Sequence, residues 1–163
     1  MNINDILKSL IYDRTQSDVD YARTLMQNGV QTDENLRGAY NISDRNRVGN
    51  AINRISQFLR DLGMSEVQVR VKSDWTVYDI IRSGGSEPVL SALRLLKSLL
   101  PGSTGEVPDS LDGLTYEKAN AVERVLYDIC GILFMLTELR AGDGYASGFD
   151  ARDEQTFDDY WGN

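Results

Sequence analysis

The sequence predicts an all-α fold: a small bundle of about four main helices, with one short isolated strand and an extended C-terminal tail. Three observations predict it. The apolar spacing of Val48, Ile52, Ile55 and Leu59 returns at Val89, Leu93, Leu96 and Leu100, and again at Val122, Leu126, Ile129 and Leu133, one helix face each time. A turn-rich loop precedes each stripe, so the chain reads as loop-and-helix repeats at about 36–62, 83–100 and 111–140. A single stretch, "EVQVRVK", alternates apolar and polar residues as a half-buried strand does. The length of 163 residues suits one helical domain over 1–140 followed by a distinct terminus over 141–163.

Local chemistry justifies each element in turn. Residues 3–11 form a short amphipathic arm. Thr15 stands three residues ahead of Asp18, the spacing of a capping box, and Val19, Ala22, Leu25 and Met26 share one face of a helix over about 16–28 that ends at Gly29. Thr32, Asp33 and Glu34 suit a further helical turn closed by Gly38. The next helix is expected to start near Ser43 or Asp44, whose side chains accept free backbone N–H groups, and to stop at Gly63.

Glu66 to Lys72 reads as the strand, with an extended linker as the alternative. A lone strand leaves its backbone groups unpaired, so it needs an edge in the short arm, another copy or a partner; the expectation is pairing outside its own domain, with Val67, Val69 and Val71 as partner-binding residues. "TVYDII" suits a short helical turn, and Ser86 ahead of Glu87 and Pro88 caps a third helix over about 87–100. "PGSTGEVPDS" is a surface loop. From Thr115 to about Leu139 the chain has so little polar face that the other helices are expected to cover it, making it the hub, with Glu123 off the stripe and of small consequence. Asn46, Glu87 and Asn120 each lie two residues ahead of a stripe. The two asparagines are expected to hold the loops before their own helices.

Composition excludes several kinds of chemistry. The net charge of −8 repels phosphate backbones and anionic headgroups, so no nucleic acid partner is expected. There is no histidine and one cysteine, Cys130, which leaves a zinc cage few ligands and a Ser or Cys nucleophile no ordinary base. Cys130 reads as a small buried hydrophobe. The longest apolar run, "ILFML", is far short of a membrane span, and the N-terminus carries no signal-peptide pattern. "SGGSEP" lacks the lysine and preceding strand of a phosphate loop. Asp143 to Glu154 has the first Asp, sixth Gly and twelfth Glu of a calcium loop, but Tyr145 and Ser147 stand where carboxylates are needed. No catalytic, cofactor or metal residue is assigned, and the chain is not expected to be an enzyme.

"YDRTQSDVDYARTL" followed by "GAYNISDRNRVGNAI" resembles a helical module of tail and baseplate structural proteins from phages and prophages of Gram-positive bacteria. In that module a "DRT-x-x-D-V" helix, here Asp13 to Val19, precedes "GAYN-x-x-D-x-NRV", here Gly38 to Val48. "SDWT" at 73–76 and the helix "YEKANAVERV" resemble a companion module, although Ala121 follows Asn120 where arginine is usual. The agreement spans about 11–62 and, more loosely, 73–135. The resemblance implies a virion structural protein, made in the host cytoplasm, that works as an adaptor at the tail, baseplate or fibre attachment by contacts with other tail subunits and with further copies of itself. A free-standing helical regulator that binds another protein is the alternative, and a wall hydrolase acting through paired carboxylates is a third.

The terminus differs from the rest. From residue 141 onward it holds about −5 of the −8 net charge, and it carries Tyr145, Phe149, Phe157, Tyr160 and Trp161 among its acids. Rings spaced among acids suit a docking segment, and these five residues are the expected anchors on a neighbouring subunit.

Overall fold

Capping chemistry decides where the helices begin. The structure, a computed structural model, describes residues 3–29, 36–76, 78–79 and 87–142. Its bounded helices are α1 (Ile3–Ser9), α2 (Gln16–Gln27), α3 (Ile42–Asp61), α4 (Glu87–Leu99) and α5 (Tyr116–Gly142). The capping box ahead of α2 forms: the Asp18 N–H donates to Thr15 Oγ1 at 3.3 Å, and the Thr15 N–H donates to the Asp18 carboxylate at 2.7 Å. At α3 the cap is Asn41 rather than Ser43 or Asp44. Its amide oxygen accepts from the N–H groups of Ser43 (2.8 Å) and Asp44 (3.3 Å), and Asp44 accepts the Asn41 N–H in return at 2.8 Å. Capping two residues ahead of Ser43 lets Asp44 serve as the third residue of a reciprocal box. Gly63 closes α3 at φ +102°, and the expected turn at 32–34 and cap at Ser86 lie outside the described residues.

The three stripes build the core. Val48, Ile52, Ile55 and Leu59 of α3, Leu93 and Leu96 of α4, and Val122, Leu126, Ile129 and Leu133 of α5 are all buried. Ile3 and Ile6 of α1, with Leu10 just past its end, join them, so the N-terminal arm is a helix packed into the same cluster. α5 packs against α1, α3 and α4, which makes it the hub. Its cover stops near Leu133, because Met135, Leu136 and Leu139 are 45, 45 and 69 % exposed. α2 buries only Ala22 and lies at the periphery.

The fold is all-α, and no strand occurs among the described residues. The strand expected at 66–72 is corrected to an extended segment that lies along α3. Its valines point into the chain's own core, with Val67, Val69 and Val71 only 2, 9 and 7 % exposed. Main-chain groups of these three valines are taken by α3 side chains. Asn53 accepts the Val71 N–H at 2.8 Å and donates to the Val71 carbonyl at 2.9 Å. Ser56 accepts the Val69 N–H at 3.2 Å and donates to the Val67 carbonyl at 3.3 Å, which Arg60 also reaches at 3.1 Å. Residues 53, 56 and 60 recur at helical spacing, so one face of α3 supplies the partners an edge strand would lack. The segment comes this close because residue 49 is glycine: a Cβ there would overlap the Lys72 carbonyl.

The asparagines also do something other than expected. Asn46 binds Trp75, accepting its N–H at 2.6 Å and donating to its carbonyl at 3.1 Å, while Asn120 does the same to Arg14 at 3.0 and 2.8 Å. Each reaches a distant extended segment instead of its own preceding loop.

Leu126 and Ile129 have no exposed surface at the centre of the hub. Replacing either by Ala is expected to lower the unfolding free energy by about 2–5 kcal/mol through cavity formation, whereas Leu139→Ala stays within about 0.5 kcal/mol. Urea denaturation measures both, and small equal losses would remove α5 from the centre.

Candidate functional site

Among the described residues, three buried charges and a fourth that is partly exposed form one cluster. Arg14, in the segment just before α2, is 4 % exposed; Asp44, in the first turn of α3, is 4 %; and Glu123, on α5, is 0 %. Arg47, one turn past Asp44, closes the group. Arg14 Nη2 lies 2.9 Å from Asp44 Oδ1 and 2.7 Å from Glu123 Oε1. Arg47 forks onto Glu123, with Nε to Oε2 at 3.0 Å and Nη2 to Oε1 at 2.9 Å, and its Nη2 also binds Asp44. Backbone supplies further partners: the Ile11 N–H donates to Glu123 Oε2 at 2.7 Å, and Arg14 donates to the carbonyls of Arg37 (3.0 Å) and Ile11. Among the described residues no buried side-chain nitrogen or oxygen lacks a partner.

This arrangement overturns the expectation for Glu123. Far from being a position of small consequence, it is the most enclosed acid in the network. Residue 123 is one turn after buried Ala119 and three residues before Leu126, so it faces inward with them. Burial alone would weaken the charge on Arg47, but its hydrogen bond to Glu123 and the charges of Glu123 and Asp44 outweigh that and hold its pKa above the usual value. The Tyr40 ring lies under the Arg14 guanidinium at 5.7 Å. Burial first, then the nearby charges of Glu123 and Asp44, push the Tyr40 hydroxyl upward and keep it protonated.

A half-open cavity of about 350 Å³ borders the network, lined in part by Gln16, Arg23, Tyr40, Thr115, Tyr116 and Glu117. The 36–40 loop forms one wall and presses so closely on α2 that a Cβ at Gly38 would overlap the Asp18 carbonyl. Arg14 reaches this cavity with its donors already engaged, and Arg23 is paired with Asp20 at 3.2 Å. A second polar cluster pins the 101–110 loop, where Asp128 accepts from the N–H groups of Thr104 (2.9 Å) and Gly105 (3.1 Å). Both clusters do structural work: each carboxylate holds backbone or arginine in place, and neither offers an acid and base facing a common open point.

The expected partner-binding residues divide into two sets. Val67, Val69 and Val71 are interior and not an open edge. Tyr145, Phe149, Phe157, Tyr160 and Trp161, with the calcium-like loop at 143–154, lie outside the described residues. Among the described residues no group of three or more Cys, Asp and Glu side chains is placed to hold a metal, and no helix is long and apolar enough to cross a membrane. Cys130 is fully buried, and burial pushes its thiol up to about 12.

Glu123→Gln is expected to cost about 3–5 kcal/mol, since it leaves two arginines short of one charge, while Glu117→Gln, exposed one and a half turns earlier, stays within about 0.5 kcal/mol. Chemical denaturation of the two variants checks this. Hydrogen bonds from the backbone and then the side chain of Thr15 hold the Asp18 carboxyl below its ordinary pKa. A depressed folded-state pKa gives stability that is complete above the unfolded value near pH 4 and lost as pH falls through the folded one. Asp18→Asn is therefore expected to flatten part of the acid limb of a stability-versus-pH curve and leave the neutral region parallel. Iodoacetamide is expected to label Cys130 only on unfolding, and rapid labelling of the native chain would contradict its burial.

Comparison of the chain with protein-family models, curated proteins and solved structures finds no match.

Proposed function

We propose that the chain is a structural protein of a phage virion, an adaptor at the tail, baseplate or fibre attachment that acts through contacts with neighbouring subunits and with further copies of itself. One observation carries this reading. The two motif blocks that resemble the tail module, Asp13 to Val19 and Gly38 to Val48, meet in the buried network, where Arg14, Asp44 and Arg47 bind one another's partners and Glu123 of the companion block. Residues used this way specify a rigid shape, which suits a part that positions its neighbours better than one that turns over a substrate.

The surface supports the same role. Met135, Leu136 and Leu139 are exposed on the last turns of α5, immediately before the terminus with its five aromatic residues. In this reading Tyr160 and Trp161 anchor residues 143–163 on a neighbouring subunit while the acids steer the approach.

Purified particles test the proposal directly. The chain is expected at fixed stoichiometry in tails; its absence from them would favour the free-standing regulator, and clearing of peptidoglycan in a gel that disappears with acidic substitutions would favour a hydrolase. A truncation after Gly142 is expected to keep the melting temperature within about 2 °C and to lose incorporation into the assembly. Normal incorporation of the truncated chain would remove the terminus from the docking role.

A further inference from the structure

We propose that the chain is two copies of one arm-and-helix unit closed on each other, each unit's arm being recognised by an asparagine clamp on the other unit's long helix. The first unit runs from Asp13 through α3 and the second from Asp74 through α5. The arms share the pattern Asp-x-Thr-x-x-Asp: Asp13, Thr15 and Asp18 in one, Asp74, Thr76 and Asp79 in the other. Their local geometry is the same. The N–H and hydroxyl of Thr15 bind the Asp18 carboxylate at 2.7 and 2.8 Å, and those of Thr76 bind Asp79 at 2.8 and 2.7 Å.

The clamps are the same as well. Asn120 grips the N–H and carbonyl of Arg14 at 3.0 and 2.8 Å, and Asn46 grips those of Trp75 at 2.6 and 3.1 Å. Each asparagine stands two residues ahead of the buried valine that opens a stripe, Val122 and Val48. The register continues one turn along. Three residues past Asn120, Glu123 receives the N–H of Ile11, which lies three before Arg14; three past Asn46, Gly49 admits the carbonyl of Lys72, which lies three before Trp75.

A clamp that reads main chain and a Thr–Asp turn leaves the middle side chain free to differ. Arg14 enters the acid network, whereas the Trp75 ring carries the cations of Arg45 and Lys72 at 5.2 and 5.7 Å from its centroid. The partner of each clamp is thus an Asp-x-Thr-x-x-Asp arm, and within one chain both clamps are filled. This holds whatever assembly the chain joins.

The units are connected through the turn at Ser65 and Glu66, both exposed. A protease site inserted there lets the folded protein be cut into two fragments. They are expected to remain a 1:1 pair on size exclusion, with a melting temperature that becomes dependent on concentration. Asn46→Ala and Asn120→Ala are each expected to weaken reassociation about tenfold, by similar factors, since each removes two main-chain bonds; Asn50→Ala, exposed on α3, is expected to change nothing. Separation of the unsubstituted fragments on cutting, or an effect at only one asparagine, would overturn the proposal. Hydrogen exchange on the uncut chain gives a second readout. Asn120→Ala is expected to deprotect the Arg14 amide alone and Asn46→Ala the Trp75 amide alone; protection unchanged at both would also overturn it.

Discussion

Much of this structure depends on one carboxylate. Glu123, with no exposed surface, accepts from Arg14, Arg47 and the Ile11 N–H, and so ties the N-terminal arm and α3 to the hub helix at a single point. Taking four charges out of water is expensive, and their attraction roughly offsets that cost only when every donor and acceptor is satisfied. Here the set is neutral, two arginines with two acids, backbone adds further bonds, and Arg47 keeps part of its surface in water. Its net contribution to stability is therefore modest compared with the hydrophobic core. What it adds is intolerance of error: a slip of α5 by one residue would leave buried arginines facing apolar side chains, a loss far larger than the loss of one methyl contact. The network specifies the register in which the stripes meet, and the stripes supply most of the free energy.

A second constraint concerns the backbone between α3 and α4. An extended segment inside a helical protein has no neighbouring strand, and each unpaired main-chain group beside a core is costly. Asn46, Asn53 and Ser56 remove that cost from a single helix face, each satisfying both a donor and an acceptor. Amide side chains suit the task because one group carries both functions in a plane, as a peptide unit does. The outcome is a chain segment with strand-like conformation whose core-side groups at Val67, Val69 and Val71 are bonded to α3.

These two features mark the boundary of what periodicity reveals. The three stripes, the capping box at Thr15 and the end of α3 at Gly63 are local properties, written within one or two turns of chain, and they appear where the pattern places them. The alternation at 66–72 correctly reports that Val67, Val69 and Val71 share a buried face, but an alternating pattern says nothing of what pairs with the backbone; here the partners are asparagine and serine on a preceding helix. The role of Glu123 was partly visible, since Ala119 and Leu126 place it on the inner arc. A solvated charge is the ordinary reading of a helical glutamate, and only the arrival of Arg14, 109 positions away, reverses it. The Asp-x-Thr-x-x-Asp arms are short enough to pass unnoticed until both are seen in the grip of equivalent asparagines.

Closure of the interior leaves association to the surface. With both clamps filled and both arginines paired, the polar side chains that the described residues bury find their partners within the chain. The apolar group at Met135, Leu136 and Leu139 is exposed, yet three partly exposed side chains offer only a few hundred Å², against the roughly 800 Å² per partner of a stable interface. Such a patch supports a weak contact by itself. Weak contacts become firm when several are made at once at high local concentration, and an assembly with many copies around an axis supplies that multiplicity. Under the role proposed above, small adhesive areas on such a body would act together through repeated placement in a large particle. In that reading the stiffness set by Glu123 matters at a distance, because avidity is lost when the patches cannot be held in register with one another.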